Sequence, residues 1–198
     1  MNTDDPFALL DLPRRFEIDR EALQAVYLRK SATLHPDRYS DPIEQAEAAE
    51  RAAALNRARA VLIDDEQRAN ALLALLGGPG KEQEKDLPDG FLMAIMEIRQ
   101  TMEEVLASGD AARQRDFEEW ADDEREALLE KIASLFDQAA PGSDGPGGAP
   151  PGGDGPAAVV AASAADPALL REIRIELNAL RYVQRMIEQL APPEGGKR

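Results

Sequence analysis

Apolar side chains recur along this chain at three- and four-residue steps, the period of an α-helix rather than the alternation of a strand. A short helix is expected over residues 6–11 (PFALLD), opened by Pro6, with Pro13 after a break. Asp19 reads as the N-cap of a helix over 19–34, with Leu23, Val26, Tyr27 and Leu34 as its apolar stripe. The next helix, roughly 43–63, is mostly Ala with Glu and Arg. Its Ala46, Ala49, Ala53, Ala60 and Val61 are expected to pack closely on the preceding helix. A further amphipathic stretch from Glu66 to Leu76 carries Leu72, Leu73, Leu75 and Leu76, and Gly77-Gly78-Pro79-Gly80 stops it.

The charged segment 81–90 (KEQEKDLPDG) then reads as linker, which places a domain boundary in 77–90 between one unit at 1–76 and another at 91–190. In the second unit Leu92, Ile95, Ile98, Met102 and Val105 make one buried stripe. Asp110 starts a helix to about Asp137 with Phe117, Ala121, Leu128, Ile132 and Leu135 inward. Residues 140–167, rich in Pro, Gly and Ala, read as a flexible insertion. A last helix from about Pro167 to Leu190 turns Leu170, Ile173, Leu177, Leu180 and Ile187 inward, and 191–198 is expected to be a disordered tail. The fold class is therefore all-α, a helical hairpin followed by a three-helix bundle. No internal repeat is visible.

Composition narrows the function. The chain is 43% hydrophobic with only 5% aromatic residues and a net charge of −15, so nucleic acid and anionic membranes are poor partners. The acidity is concentrated: residues 81–140 carry 17 Asp and Glu against 7 Lys and Arg. There is no cysteine, which excludes disulfides, thiolate metal sites and cysteine nucleophiles. One histidine cannot by itself supply a zinc or iron–sulfur site, and neither a metal nor a cofactor is expected. The acidic N-terminus has no basic targeting region, and no apolar run reaches membrane-spanning length, so a soluble cytoplasmic protein is expected.

The single histidine opens the tripeptide His35-Pro36-Asp37, between the helices at 19–34 and 43–63. Proline forbids helix continuation and pushes the preceding residue out of the α region, so the tripeptide falls at the tip of an antiparallel hairpin. Arg20, Arg29 and Lys30 make the helix leading into it basic, a contrast of sign that can steer an acidic partner. A solvated helix face is the plainer reading of those charges. On helix 91–106, Met93, Met96, Glu97, Gln100 and Glu104 fall together opposite the core stripe, with Leu92 on the flank. Two exposed methionines framed by acidic residues suit an adaptable apolar contact with an acid-assisted rim, although the same side chains could meet another helix of the bundle. On the last helix Tyr182 and Ile175 fall opposite the inward stripe. Catalysis finds no support: a hairpin tip gives His35 neither a cleft nor an activating partner. Asp122-Asp123-Glu124 lacks the spacing of a metal site, and the glycine stretches lack the Gly-Lys-Ser/Thr of a phosphate loop.

A short helix, a partly basic helix, His-Pro-Asp and an Ala-rich helix together resemble a J-domain. In that family the tripeptide does no chemistry but docks on a DnaK-type chaperone and triggers its ATPase. The resemblance implies chaperone-binding roles for His35, Pro36 and Asp37, for the basic Arg29, Lys30 and Arg38, and for Asn56 in LNRARAVL. Over its whole length the chain resembles the HscB family, through PFALLDLP, LHPDRY, LNRARAVLIDDEQRANALLALLGG, FLMAIMEIR and LRYVQRM. That resemblance implies a co-chaperone that delivers the iron–sulfur scaffold protein IscU to an HscA/DnaK-type ATPase chaperone to promote cluster transfer. It further implies scaffold contacts by Leu92, Met93, Met96 and Tyr182, with polar contacts by Glu97, Gln100 and Glu104. Three features depart from the family pattern: Lys30 stands where an apolar residue is usual, Gln100 stands for an acidic one, and the 140–167 insertion is extra. A bacterial type is implied by the absence of a cysteine-bearing N-terminal extension. Two rivals stay open: a J-domain co-chaperone for a different client, and a helical interaction protein whose tripeptide is only a turn.

Overall fold

The structure is a computed structural model that describes residues 5–34, 39–139 and 165–190. The described residues hold seven α-helices and no strand. They are α1 (Pro6–Leu9), α2 (Arg20–Thr33), α3 (Pro42–Ile63), α4 (Asp65–Leu75), α5 (Phe91–Ser108), α6 (Ala111–Ala139) and α7 (Pro167–Leu190). None of them is long and apolar enough to cross a membrane. The expected insertion and tail lie outside the described residues, apart from the two residues that lead into α7 and the first of that helix.

Aspartates start most of these helices. Asp5, Asp19, Asp41 and Asp64 each accept hydrogen bonds from free backbone N–H groups of the first turn. Pro6 and Pro42 stand in first turns, where a missing N–H leaves nothing unpaired. At the other end of α4, Gly78 N donates to Leu73 O at 2.9 Å and Gly77 N to Ala74 O at 3.1 Å. This closure needs a left-handed residue, and Gly77 provides it at φ +81°. A Cβ at Gly78 would lie 2.2 Å from Leu73 Cδ1, so the turn also needs the smallest residue there.

Helices α2 and α3 run antiparallel, with Tyr27 tied to Asn56 and Gln24 to Arg59. The inward face of α3 is not the one expected. Ala48, Ala54, Leu55, Ala58 and Leu62 are buried, whereas Ala46, Ala49, Ala53 and Ala60 are exposed and Val61 is half-buried. Leu55 and Leu62, one heptad apart, set the phase; alanines spread around every face of a helix carry little phase information. In α5 the inward set is Ile95, Met102 and Val105, with Ile98 half-buried, but Leu92 is 55% exposed. Phe91 takes the inward position that the stripe assigned to Leu92. The inward residues expected in α6 are all buried, as are those of α7 except the half-buried Ile187.

The main core runs across the chain. Phe7, Leu10, Phe16 and Leu23 share one cluster with Leu62, Leu72 and Leu73 of α3 and α4, and with Ile132, Phe136, Ile173, Leu177 and Leu180 of α6 and α7. A smaller cluster, Ile95, Met102, Val105, Phe117, Ala121 and Met186, fixes α5 on the far ends of α6 and α7. The charged segment between α4 and α5 is pinned to α7. Arg171 binds the carboxylates of Glu84 and Asp86, Asn178 Nδ2 donates to Glu84 O and Asp86 O, and Arg174 Nε donates to Pro79 O at 2.9 Å. α7 thereby holds α5, α6, α4 and the connection in one frame, and buries polar side chains along with apolar ones: Arg174 bonds Asn70, and Glu176 bonds Lys131.

Candidate functional site

The hairpin end comes first. His35, Pro36, Asp37 and Arg38 lie outside the described residues, but their flanks are firmly held. Asp41 accepts from Ile43 N at 2.7 Å and Glu44 N at 3.2 Å, and Gln45 Nε2 donates to Tyr39 O at 2.8 Å. Tyr39 Oη reaches back to Thr33 O at 3.4 Å, joining the start of α3 to the end of α2. Arg29 is exposed, with Asp11 3.9 Å away. Lys30 is more enclosed: its ammonium donates to Leu9 O and to Asp11 Oδ1, both at 2.7 Å. It thus straps α2 to the turn after α1, beside a cleft of about 770 Å³ whose other walls include Leu34, Ala54 and Arg57. Asn56 Oδ1 accepts from Tyr27 Oη at 2.8 Å, and the Arg59 guanidinium stacks 4.9 Å from the same ring. The structure therefore brings Arg29 and Lys30 together on one end of α2, and sets Asn56 on the facing helix as a cross-tie.

The second set lies on α5 and α7. Met93 is 72% exposed, Met96 65% and Leu92 55%, neighbours at the helical repeat of α5, and Tyr182, 40% exposed, reaches the same helix at Phe91. Isolated exposed apolar residues are ordinary, whereas a group of them at the helical repeat is a candidate contact surface. The methionines do not pack into the bundle. Its core is complete without them, because Phe91, Ile95, Met102 and Val105 already occupy the inward side. Glu97 and Gln100 are exposed along the rim, and Gln100 Nε2 donates to Glu104 Oε1 at 3.3 Å.

Two further residues shape this face, Phe91 from beneath and Glu103 at its rim. Phe91 meets Tyr182 edge-on, with centroids 6.2 Å apart and planes at 69°, and so fixes the ring of α7 against α5. Glu103 is exposed and falls about 20° from Leu92 at 100° per residue, which the same helical projection could have found. The connection behind Tyr182 is anchored electrostatically. The Glu84 carboxyl is held below its ordinary range, first by the hydrogen bond from Asp86 N and then, against partial desolvation, by Arg171. Arg174, by contrast, is pushed down by burial, which Glu66 partly offsets. None of these groups is arranged as an acid–base pair around a cleft.

Comparison with known proteins extends this picture. Residues 87–143 match the family described as the HSCB C-terminal oligomerisation domain. The chain is 34% identical over 141 residues to a co-chaperone protein HscB homolog of Bordetella petrii, which covers 70% of this chain and 82% of that protein. Its fold superposes on the crystal structure of human co-chaperone protein HscB with a TM-score of 0.72 at 22% identity, covering 96% of this chain and 82% of that one. The chaperone HscB from Vibrio cholerae gives 0.70 at 21% identity, over 94% of each chain.

Proposed function

This chain belongs to the HscB family of co-chaperones, and we propose that it works as a two-ended adaptor with no catalytic chemistry of its own. The bundle end captures an IscU-type iron–sulfur scaffold protein through Leu92, Met93, Met96 and Tyr182, with Glu97, Gln100 and Glu104 as the polar rim. The hairpin end presents His35, Pro36 and Asp37 to an HscA/DnaK-type ATPase chaperone, with Arg29, Lys30, Arg38 and Asn56 beside them. Hydrolysis of ATP in that partner then locks it onto the delivered client and promotes cluster transfer. Tethering supplies the physical gain, because the second encounter becomes intramolecular at a high effective concentration. The reading places the protein in the cytoplasm and calls for no cofactor.

The observation that carries this proposal is the exposed apolar group on α5 beside Tyr182, left unused by the bundle core. Thioethers are flexible and polarizable, and adapt to a partner better than a branched side chain does. Titration of an IscU-type scaffold by isothermal calorimetry tests it. Met93→Ala combined with Met96→Ala should weaken binding at least about tenfold, the loss expected when central apolar anchors are truncated. The unfolding midpoint should hardly move, since both side chains are exposed. Unchanged affinity in a folded double variant would contradict the assignment.

A further inference from the structure

Tyr182 has a second neighbourhood. Behind it, α7 and the connection before α5 enclose a cleft of about 390 Å³ whose walls carry Lys81, Lys85, Arg181 and Arg185, with Glu82 as the one carboxylate. Four cations around one acid form a sharp local reversal in a chain of net charge −15. Asn178, Arg181, Tyr182 and Arg185 follow the helical repeat and lie on one stripe of α7. Asn178 holds the connection alongside that stripe through Glu84 O and Asp86 O, so the lysines face the arginines on a fixed base. Internal pairing leaves much of the charge free. Lys85 has Glu82 at 3.8 Å and Arg181 has Glu66 at 3.6 Å, while Lys81 and Arg185 have no ion pair among the described residues. α5 meets Tyr182 at Phe91, and further along that helix the exposed side chains are acidic, with Glu97, Glu103 and Glu104.

We infer that the basic cleft binds an acidic segment of the same protein that docks on Leu92, Met93 and Met96. The inference rests on the proposed capture of a client by that face. It adds direction to it: the client lies across α5 and α7 in the one orientation that sets its acidic segment on α7 and away from the carboxylates of α5. The reverse orientation opposes like charges, which is costly at an interface. Exposed charges of this kind govern encounter rate and salt dependence more than they govern dry contact energy.

The test uses the full chain carrying Lys81→Glu and Arg185→Glu, with a milder Lys81→Gln, Arg185→Gln variant as a guard against misfolding. Binding of an IscU-type scaffold is measured by calorimetry at about 50 mM and about 500 mM salt, where screening lengths differ about threefold. The reversal should weaken binding about tenfold at low salt and less than about threefold at high salt, with the neutral variant in between. Unchanged affinity and salt slope in both variants, while Met93→Ala with Met96→Ala still weakens binding, would overturn the cleft assignment and leave the capture face standing. If the methionine variant also binds normally, the capture reading fails and this inference fails with it. If the reversal instead abolishes self-association in sedimentation and spares the scaffold, the cleft serves a second copy of the chain and the inference is overturned.

Discussion

Replacing Phe136 with Ala should destabilise the N-terminal helices together with the bundle. Phe136, at the C-terminal end of α6, is 3% exposed and stacks on Phe16, with centroids 5.6 Å apart and planes 22° from parallel. Phe16 in turn lies under the Arg68 guanidinium at 4.9 Å, and Arg68 Nε donates to its carbonyl at 2.7 Å. A layer of three side chains therefore joins α4, the loop before α2, and α6. The void beside it is only about 10 Å³, so truncation opens new space rather than enlarging old. Loss of a buried Phe to Ala costs about 3–5 kcal/mol, which includes roughly 0.5–1.5 kcal/mol of ring–ring geometry. For a chain of this size that is a fall in Tm of about 6–20 °C. Urea unfolding followed by far-UV circular dichroism gives the energy, and hydrogen exchange read by mass spectrometry gives its location. Protection should fall by similar amounts in α1 to α4 and in α6 and α7, because the main core is shared. Phe16→Leu alone and combined with Phe136→Ala should then show strong coupling rather than additivity. A loss below about 1 kcal/mol, or one confined to α5–α7 with α1–α4 untouched, would refute the reasoning.

Asp65 predicts an acid response. Burial works to raise its pKa, but the hydrogen bond from Arg68 and the charges of Arg68, Arg125 and Arg20 together hold the carboxyl below its ordinary value. Its contribution is therefore complete above the ordinary carboxylate pKa of about 3.9 and disappears as pH falls through the depressed folded value. Asp65→Asn should cost about 1.5–3 kcal/mol at neutral pH and converge with the parent once pH falls below the depressed folded value, in urea midpoints measured across pH; parallel profiles would contradict the assignment. Lys30→Met removes the strap to Leu9 O and Asp11 and should cost about 0.5–1.5 kcal/mol in the same denaturation assay. If stability is unchanged and chaperone stimulation is lost, the ammonium acts on the partner rather than within the chain.

How far the sequence could be read depends on residue size and on distance along the chain. Phe117, Leu128, Ile132 and Leu135 are large and regularly spaced, so the inner face of α6 was legible at once. α3 offers alanines on every side, and its phase is set by Leu55 and Leu62, two large side chains among many small ones. Leu92 fits both the core stripe and the edge of the exposed face by spacing, and the structure decides for the face because Phe91 takes the inward position. That exposed face on α5 was otherwise legible from helical projection alone, since its residues are local. Its closure by Phe91 on Tyr182 was not, because the two rings are far apart in sequence. The same limit hid the attachment of residues 79–86 to α7. A charged, Pro- and Gly-containing stretch looks like a free connection until its carboxylates and carbonyls are seen to meet Arg171, Arg174 and Asn178.

The adaptor account stands or falls on whether both ends act in one assay. The steady-state ATPase rate of an HscA-type chaperone should rise when this protein is added, rise further when an IscU-type scaffold is present, and stay at the basal rate with His35→Gln. The same His35→Gln variant should bind the scaffold normally. Stimulation that is indifferent to His35, or no stimulation with or without the scaffold, would contradict it.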